Sequence, residues 1–385
     1  MDSRIHICIL TSAHPIDDVR VSHKFAHTFI REGFRVTWVG PDYRFSGPDG
    51  WQEDQVEYRL FPRAEGKLGR LLAWRGVHRN ARPLGGVDVF YCPDPDAAAV
   101  AVRLAREKNA HVIFDVHEMY HKAMLSRWIK GPAGLVAAGI IRRHILRTCS
   151  RCDLVVGVNE AVLKPYRQAC ADSLILRSCA PACFAQGPAA DVCNPGRSTF
   201  TIMHGKADLW RGTGTVLEAL RLARERVPGL RSIMFETAYG FDSQVFRRRV
   251  AALQLEDAVD LRAAVGLHEM PAILRTCDAG LIAYARQLGA DSLPNRLFEY
   301  MAAGLPIIAP QYSTQIARVL HEEQCGLTAD FENPASVAAA IVELSQNPGR
   351  CRDMSKRARQ AFENRHNWEA EVKPLLDRIR DWVHR

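Results

Sequence analysis

The sequence predicts an α/β protein built from two doubly wound parallel-sheet domains. Short apolar runs alternate with helical stretches from the first residues onward, which is typical of parallel sheets covered by helices on both faces. The alternation stops at residues 181–198, where three prolines, two glycines and little periodicity indicate a domain linker, and it restarts at Phe200. A chain of 385 residues also suits two domains of this kind.

The first domain is predicted over residues 1–180. Its strand candidates are short apolar runs, and helical periodicity marks the stretches between them. The strands are Ile5–Leu10, Arg35–Val39, Val56–Phe61, Val87–Tyr91, His111–Phe114 and Leu154–Val158, and the helices include Val19–Arg31, Asp96–Lys108 and Leu135–Arg147.

The second domain is predicted over residues 199–365 and repeats the architecture of the first. Residues 366–385 follow it, and Trp368–Val383 is predicted as a helix that is interrupted or kinked at Pro374. Two such domains leave a cleft at the carboxyl ends of their strands, where ligands of α/β sheets bind. The predicted strands are Phe200–Met203, Ser232–Phe235, Val259–Leu261, Ala279–Ala283 and Ile307–Ala309.

Composition excludes several classes of protein. Hydrophobic residues make up 47% of the chain, but no apolar run reaches the roughly 18 residues of a membrane span, and the N-terminus leads directly into a strand without a signal peptide. We therefore expect a cytoplasmic protein. The eleven cysteines have no disulfide-like rhythm, and neither Cys149 with Cys152 nor the group at residues 179, 183 and 193 has the second pair of ligands that a zinc site needs. No metal site is predicted.

The formal charge of +8 does not indicate a nucleic-acid partner, because the basic residues are interspersed with acids and no nucleic-acid-binding motif is present. A local excess of positive charge follows the apolar stretch Leu135–Ile141. This helix is either a peripheral contact with the anionic inner face of a membrane or a solvated face over an ordinary core contact. Its basic residues are Arg142, Arg143, His144, Arg147 and Arg151.

A dinucleotide-binding site is excluded by the loop after the first strand. Leu10 is followed by Thr11-Ser-Ala-His14, which lacks the glycines of the G-x-G-x-x-G fingerprint. The later Gly212-Thr-Gly214 has no third glycine, so NAD is not expected as a cofactor.

The most informative segment runs from Asp291 to Gly304. Pro294 suits the first turn of a helix, and Gly304 suits its left-handed end. The free N–H groups at the start of that helix, with Arg296 beside them, suit a phosphate. Asp291 and Glu299 can flank one cleft and accept hydrogen bonds from hydroxyl groups.

A second cationic segment follows the first strand of the second domain. Lys206 and Arg211 are separated by four residues and precede Gly212. Because a leaving phosphate develops negative charge, two cations at this position suit the stabilisation of a departing diphosphate. Two ordinary surface cations are the alternative.

These segments resemble the signature of the retaining GT-B glycosyltransferases of family 4, also called group 1, in their bacterial polysaccharide subgroup. The family places two acids, separated by seven other residues, around a nucleotide sugar; here Asp291 stands where glutamate is usual. The resemblance implies that Asp291 contacts the donor sugar and Glu299 the ribose. It also implies that Lys206 and Arg211, in the reverse of the usual order, bind the diphosphate.

The resemblance extends to the first domain and to the end of the chain. The Asp115-Val-His117-Glu118 segment is similar to a motif of the subgroup, which implies that His117 lies near the donor sugar; a capping or core histidine is the alternative. The terminal helix is expected to pack back on the N-terminal domain. The loop after the first strand resembles the subgroup loop that faces the acceptor, and its candidate contacts are His14, Asp17, Asp18 and Arg20. Asp18 could equally cap the next helix.

The implied enzyme transfers a sugar from a nucleoside diphosphate sugar to the hydroxyl of a lipid-linked or soluble glycan, without metal or other cofactor. The alternatives are a GT-B epimerase or phosphorylase and a catalytically silent scaffold that binds nucleotide sugar. The catalytic candidates are His117, Lys206, Arg211 and Asp291. The donor-binding candidates are Gly205, Lys206, Arg211, Asp291, Pro294, Asn295, Arg296 and Glu299.

Overall fold

A computed structural model describes residues 4–43, 55–117, 132–237, 241–289 and 292–383. The chain divides into two compact units. Unit 1 comprises residues 1–177 and 372–385, and unit 2 comprises residues 178–371. None of the helices in these ranges is long and apolar enough to cross a membrane.

Unit 1 contains a sheet of parallel strands in the order β3-β2-β1-β4-β5-β6-β7. The six predicted strands are confirmed, with ends that shift by up to three residues. The seventh, β7, was not predicted. The strands are β1 His6–Leu10, β2 Arg35–Asp42, β3 Val56–Pro62, β4 Val89–Cys92, β5 His111–Val116, β6 Leu154–Gly157 and β7 Ser173–Ile175.

Helices cover the sheet of unit 1. The predicted helix at residues 19–31 begins as a π-helical stretch, Val19–Ala26, and continues as α1, His27–Arg31. The side chains between the sheet and α3, α4 and α5 form one buried cluster, which includes Phe90, Leu104 and Ile145. The remaining helices are α2 Gly66–Leu72, α3 Trp74–Ala81, α4 Pro95–Lys108, α5 Pro132–Cys149 and α6 Glu160–Arg167.

Unit 2 contains a second parallel sheet, in the order β10-β9-β8-β11-β12-β13. Five of these strands were predicted, and β13 was not. The two parallel α/β sheets confirm the predicted fold class. The strands are β8 Phe200–Lys206, β9 Leu230–Phe235, β10 Val259–Arg262, β11 Ala279–Leu281, β12 Ile307–Pro310 and β13 Gly326–Ala329.

Both faces of this sheet are buried. Alternate residues of one strand enter different apolar clusters: Ile202 lies in one cluster and Met203 in the other. Burial on both sides explains why these strands appear in the sequence as short continuous apolar runs. The helices are α7 Thr213–Arg224, α8 Ser243–Ala252, α9 Met270–Leu274, α10 Arg286–Gly289, α11 Asn295–Ala303, α12 Thr314–Glu323, α13 Pro334–Gln346, α14 Pro348–Asn364 and α15 Trp368–Val383.

Residues 181–198, interpreted above as a linker, belong to unit 2. The N–H of Ala190 donates to the Ala303 carbonyl oxygen at 2.8 Å, and Phe184 and Val192 are buried in one of the apolar clusters. Helix α15 is continuous through Pro374. From Val372 onward the helix belongs to unit 1, where Trp382 stacks on His111 with 4.7 Å between ring centroids.

Candidate active site

Each sheet reverses its strand order once, between β1 and β4 in unit 1 and between β8 and β11 in unit 2. Ligands of open α/β sheets bind outside the carboxyl ends of the strands at such a point. The polar residues that follow these four strands are therefore the candidates for function.

In unit 2, the backbone at the end of β8 contacts the guanidinium of Arg296. The Nη1 of Arg296 donates to the His204 carbonyl oxygen at 3.0 Å. Gly205 has φ +87°, and a Cβ placed on it would lie 3.3 Å from the same nitrogen. Glycine here satisfies both the left-handed backbone and the approach of the guanidinium. The next residue, Lys206, is exposed at the end of the strand.

His204 holds the loop that follows β8. Its Nε2 hydrogen-bonds to the Thr213 hydroxyl at 2.9 Å, and the Asp208 N–H donates to the same hydroxyl at 3.1 Å. Burial, and then the charge of Arg296, lower the pKa of His204 to about 3. The imidazole is therefore neutral and structural: it fixes the path of the turn that carries the two predicted diphosphate ligands.

Arg211 lies in that turn. Its Nε is 3.2 Å from an Asp208 carboxylate oxygen, its guanidinium lies 4.9 Å from the centroid of the Trp210 ring, and its side chain is 45% exposed. Gly212 has φ +111°, and a Cβ there would lie 3.1 Å from the Tyr284 carbonyl carbon. Glycine thus allows the turn to pack against the segment that follows β11.

Helix α11 meets the same loop through its first turn. Pro294 is the N-cap residue, one position before the predicted first turn, and it provides no side-chain cap. Gly304 ends the helix at φ +73°, as predicted. The Arg296 guanidinium lies 5.6 Å from the Tyr284 ring, so Tyr284 contacts both Arg296 and the turn at Gly212.

The structure thus brings together the donor-binding candidates from β8, the following turn and α11. Glu299 is three residues after Arg296, on the same side of α11, and is half-buried. Asn295 is the first residue of α11. Asp291 lies outside the described residues. Among the residues described, no group of three histidine, cysteine, aspartate or glutamate side chains is placed to hold a metal ion.

In unit 1, Asp115 is the centre of a buried network. Its oxygens accept hydrogen bonds from Arg20 Nε at 2.9 Å and Nη2 at 2.8 Å, and from the Tyr91 hydroxyl. The Nε2 of His117 lies 2.8 Å from Oδ2. Burial alone would raise the pKa of Asp115, but Arg20 and His117 hold it far below its ordinary value. The carboxylate is ionised and fully buried.

A second acid lies beside this network. Asp94 accepts hydrogen bonds from the Thr11 hydroxyl at 2.6 Å and the Ser12 N–H at 2.9 Å, and lies 3.3 Å from His14 Nδ1. Burial opposes protonation of His14, but Asp94 raises the pKa of His14 to about 9. The His14 ring packs edge-on against His117 with 5.3 Å between centroids.

The remaining acceptor candidates differ in their surroundings. Asp18 accepts hydrogen bonds from the N–H groups of Arg20 and Val21 at 2.9 and 2.8 Å, so it caps the helix that follows. Arg20 is 7% exposed, and its guanidinium faces Asp115. Asp17 Oδ1 is buried and has no hydrogen-bond partner within the described ranges.

Four members of these clusters, Asp94, Tyr91, His204 and Tyr284, were not among the site residues predicted from the sequence, although the segment from Tyr91 to Asp96 resembles a turn of the family. Asp94 carried a readable signal, because it follows β4 at the reversal of strand order and precedes a proline that starts a helix. His204 and Tyr284 have no signal in the sequence, since their partners are distant along the chain.

Comparisons with known proteins agree with this architecture. Two family models match the chain. The model described as Glycosyltransferase Family 4 matches residues 19–171, and the one described as Glycosyl transferase-like matches residues 219–377. A search of curated proteins found no significant match.

Solved structures share the fold. HepE of Anabaena in complex with UDP is 14% identical, with a TM-score of 0.70 over 98% of this chain and 100% of that one. Sucrose-phosphate synthase of Thermosynechococcus elongatus is 15% identical, with a TM-score of 0.71 over 99% and 100%. A glycosyltransferase of Rickettsia africae is 11% identical, with a TM-score of 0.72 over 100% and 99%. The chain belongs to the family 4, or group 1, glycosyltransferases, which use nucleotide sugars, and it has the GT-B fold of two Rossmann-like domains.

Proposed function

We propose that this glycosyltransferase moves a sugar from a nucleoside diphosphate sugar to an acceptor hydroxyl with retention of anomeric configuration and without a metal ion. One observation carries the proposal. Lys206, Arg211 and Arg296 lie around the reversal of strand order in unit 2, and Asp208 is the only carboxylate paired with them in the described part of the chain.

This arrangement suits a departing diphosphate. Lys206 and Arg211 would stabilise the negative charge that develops on the leaving group, and the uncapped start of α11 at Asn295 would add backbone N–H donors. With this many positive groups, charge neutralisation does not require a divalent cation. Glu299 would bind the ribose and Asp291 the donor sugar, as the family resemblance implies.

The family resemblance implies that His117 of unit 1 is a hydrogen-bonding partner of the donor sugar. Asp115 fixes the orientation of the His117 ring through Nε2. Arg20 would then be a positioning residue that acts through Asp115, while His14, Asp17 and Asp18 remain candidates for acceptor contacts. In the family mechanism, the leaving diphosphate helps to deprotonate the acceptor, so no dedicated base is needed.

The acceptor is proposed to be a lipid-linked or soluble glycan in the assembly of cell-surface polysaccharide or glycoconjugates. We place this reaction in the cytoplasm, at the inner membrane face when the acceptor is lipid-linked. HepE was solved with UDP. UDP-sugars therefore lead the panel of donors to be tested.

Turnover with a panel of nucleoside diphosphate sugars and acceptors tests the proposal. NMR of the product should show the anomeric configuration of the donor, and EDTA should leave the rate unchanged. Lys206→Ala and Arg211→Ala should each lower kcat by roughly 10²- to 10³-fold, as loss of a donor to developing charge does. Arg221→Ala, which removes an arginine of α7 with 46% exposure, should keep wild-type activity.

Several outcomes would contradict parts of the proposal. An inverted product excludes retention, and loss of activity with EDTA excludes metal independence. If an added acceptor does not increase the release of nucleoside diphosphate, the transferase loses support to the epimerase and the phosphorylase. Donor binding without turnover on any acceptor would favour the scaffold, a candidate that aspartate in place of the usual glutamate at position 291 keeps open.

A further inference from the structure

Helix α5 of unit 1 exposes apolar side chains near its start. Leu135 and Val136 are each 66% exposed, and Ile140 is 65% exposed. Large apolar side chains grouped on one stretch of surface are a feature of interaction sites.

The same face of α5 becomes basic toward its end. Residues at spacings of three and four lie on one side of a helix, which places Val136 and Ile140 in line with His144 and Arg147, and with Arg151 in the turn beyond the helix. Arg142 and Arg143, which belonged to the basic run in the sequence, do not line the cavity beside this face.

That cavity lies between α4 and α5 and has a volume of about 480 Å³. Arginines of α4 enter it from one side, and basic residues of α5 and the following turn enter it from the other. The basic lining residues are Arg103, Arg106, His144, Arg147 and Arg151. The others are Ala99, Val102 and Thr148, so no acid lines the cavity.

The four arginines are not neutralised within the described ranges. None of them forms an ion pair with a carboxylate there, whereas many arginines elsewhere on the surface do, such as Arg249 with Glu218 at 2.6 Å. Guanidinium groups bind phosphate through paired N–H donors. Four of them around one concave surface therefore complement a phosphate-bearing ligand.

We propose that the cavity and the apolar start of α5 form one docking surface for an anionic membrane. The phosphate of a lipid headgroup would occupy the arginine-lined cavity, and Leu135, Val136 and Ile140 would enter the boundary between headgroups and acyl chains. A soluble phosphate would explain the arginines but not the three exposed apolar side chains on the same helix. This surface does not depend on the proposed sugar transfer, because it uses none of the residues assigned to it.

Vesicle flotation of the full-length protein tests the proposal. Wild type should float with vesicles of phosphatidylcholine and phosphatidylglycerol but not with phosphatidylcholine alone. The variant R103Q/R147Q/R151Q should bind the anionic vesicles at least tenfold more weakly, and V136S/I140S should also bind more weakly. The control R221Q/R247Q/R318Q removes the same charge from three exposed sites of unit 2 and should bind like wild type.

Three results of these experiments would overturn the proposal. These are absence of wild-type flotation, equal loss in the unit 2 control, or saturable binding of glycerol phosphate at the cavity without binding of vesicles. A thermal shift with the donor nucleotide, measured on each variant, separates this site from the proposed donor site. The cavity variant should lose vesicle binding and keep the nucleotide response; loss of both would contradict an independent surface.

Discussion

Charged side chains are arranged in opposite ways at the two points where the sheets reverse their strand order. In unit 1, the acids are buried and already have hydrogen-bond partners from the protein. Asp115 is bonded to Arg20, Tyr91 and His117, and Asp94 to Thr11 and His14. In unit 2, the cations face outward, and the hydrogen bond from Arg296 goes to a backbone carbonyl oxygen. The first arrangement stabilises and orients its own side chains, whereas the second leaves positive charge for a ligand.

This contrast predicts that Asp115 matters most for stability. Asp115→Asn should lower the free energy of unfolding by about 3–5 kcal/mol, because it leaves the charge of buried Arg20 uncompensated. Urea denaturation at neutral pH measures the loss. Asp260→Asn, at an acid with 47% exposure paired with Arg262, should change stability by less than about 1 kcal/mol.

A small effect at Asp115 would show that the unit 1 network is not a stabilising centre. The double variant R20M/D115N provides a further check, since removing both charges should restore part of the lost stability.

The next prediction concerns two neighbouring glycines of unit 2: Gly212, in the turn after β8, and Gly214, in the first turn of α7. Gly212→Ala should destabilise the protein by about 1–3 kcal/mol, because φ +111° strains any residue with a Cβ and the Tyr284 backbone lies 3.1 Å away. Gly214→Ala is the matched control. The nearest atom to a Cβ there is the Leu209 carbonyl oxygen at 3.8 Å, so alanine inside helix α7 should be neutral or stabilise by up to about 1 kcal/mol.

Thermal unfolding of both variants, with and without donor nucleotide, measures the difference. Equal melting temperatures for the two would mean that the turn is not held in the conformation described. If Gly212→Ala keeps the wild-type response to nucleotide, the shape of this turn is not needed for donor binding.

The next prediction is a pH dependence in unit 1. The pKa of His14 is raised in the fold to about 9 from an ordinary 6.5, so its protonation contributes stability that is complete below pH 6.5 and is lost as the pH rises through 9. Between pH 7 and 8, the expected loss is about 1 kcal/mol. Burial lowers the pKa of His204 to about 3 from an ordinary 6.5. The stability that its neutral form contributes is therefore complete at pH 7 to 8 and is lost only as the pH falls below 6.5 toward 3.

His14→Gln should therefore flatten the stability profile between pH 7 and 8. Urea midpoints measured at several pH values for wild type and variant give the comparison. An unchanged slope in the variant would show that His14 does not carry the proton in the folded state.

The sequence predicted the buried strands and the site residues that are close to one another along the chain better than the exposed strands and the distant contacts. The central strands appeared as continuous apolar runs because helices cover both of their faces. The strands that were missed, β7 and β13, lie at the edges of their sheets, where Ser173–Ile175 is half-buried throughout and Gly326–Ala329 has one buried residue. Strands this short and this little buried carry a weak apolar signal in the sequence.

The same distinction holds for the candidate site. Lys206 ends β8 and Arg211 lies in the turn that follows, so their spacing was visible directly in the sequence. Arg20 and Asp115 are 95 residues apart, and their contact depends on the order of the strands between them. Sequence reasoning therefore named Arg20 as an acceptor ligand, while the fold places its guanidinium against a buried carboxylate.

The smallest expected effect on stability is the most direct test of the contrast between the units. Lys206 is exposed at the end of β8 and forms no side-chain ion pair within the described ranges, so Lys206→Ala should leave the free energy of unfolding within about 0.5 kcal/mol of wild type. The same variant should lose most of the rise in melting temperature that a nucleoside diphosphate produces. Arg221→Ala should keep that rise. If Lys206→Ala instead destabilised the apo protein as strongly as Asp115→Asn, the cations of unit 2 would be structural, and the donor site would have to lie elsewhere.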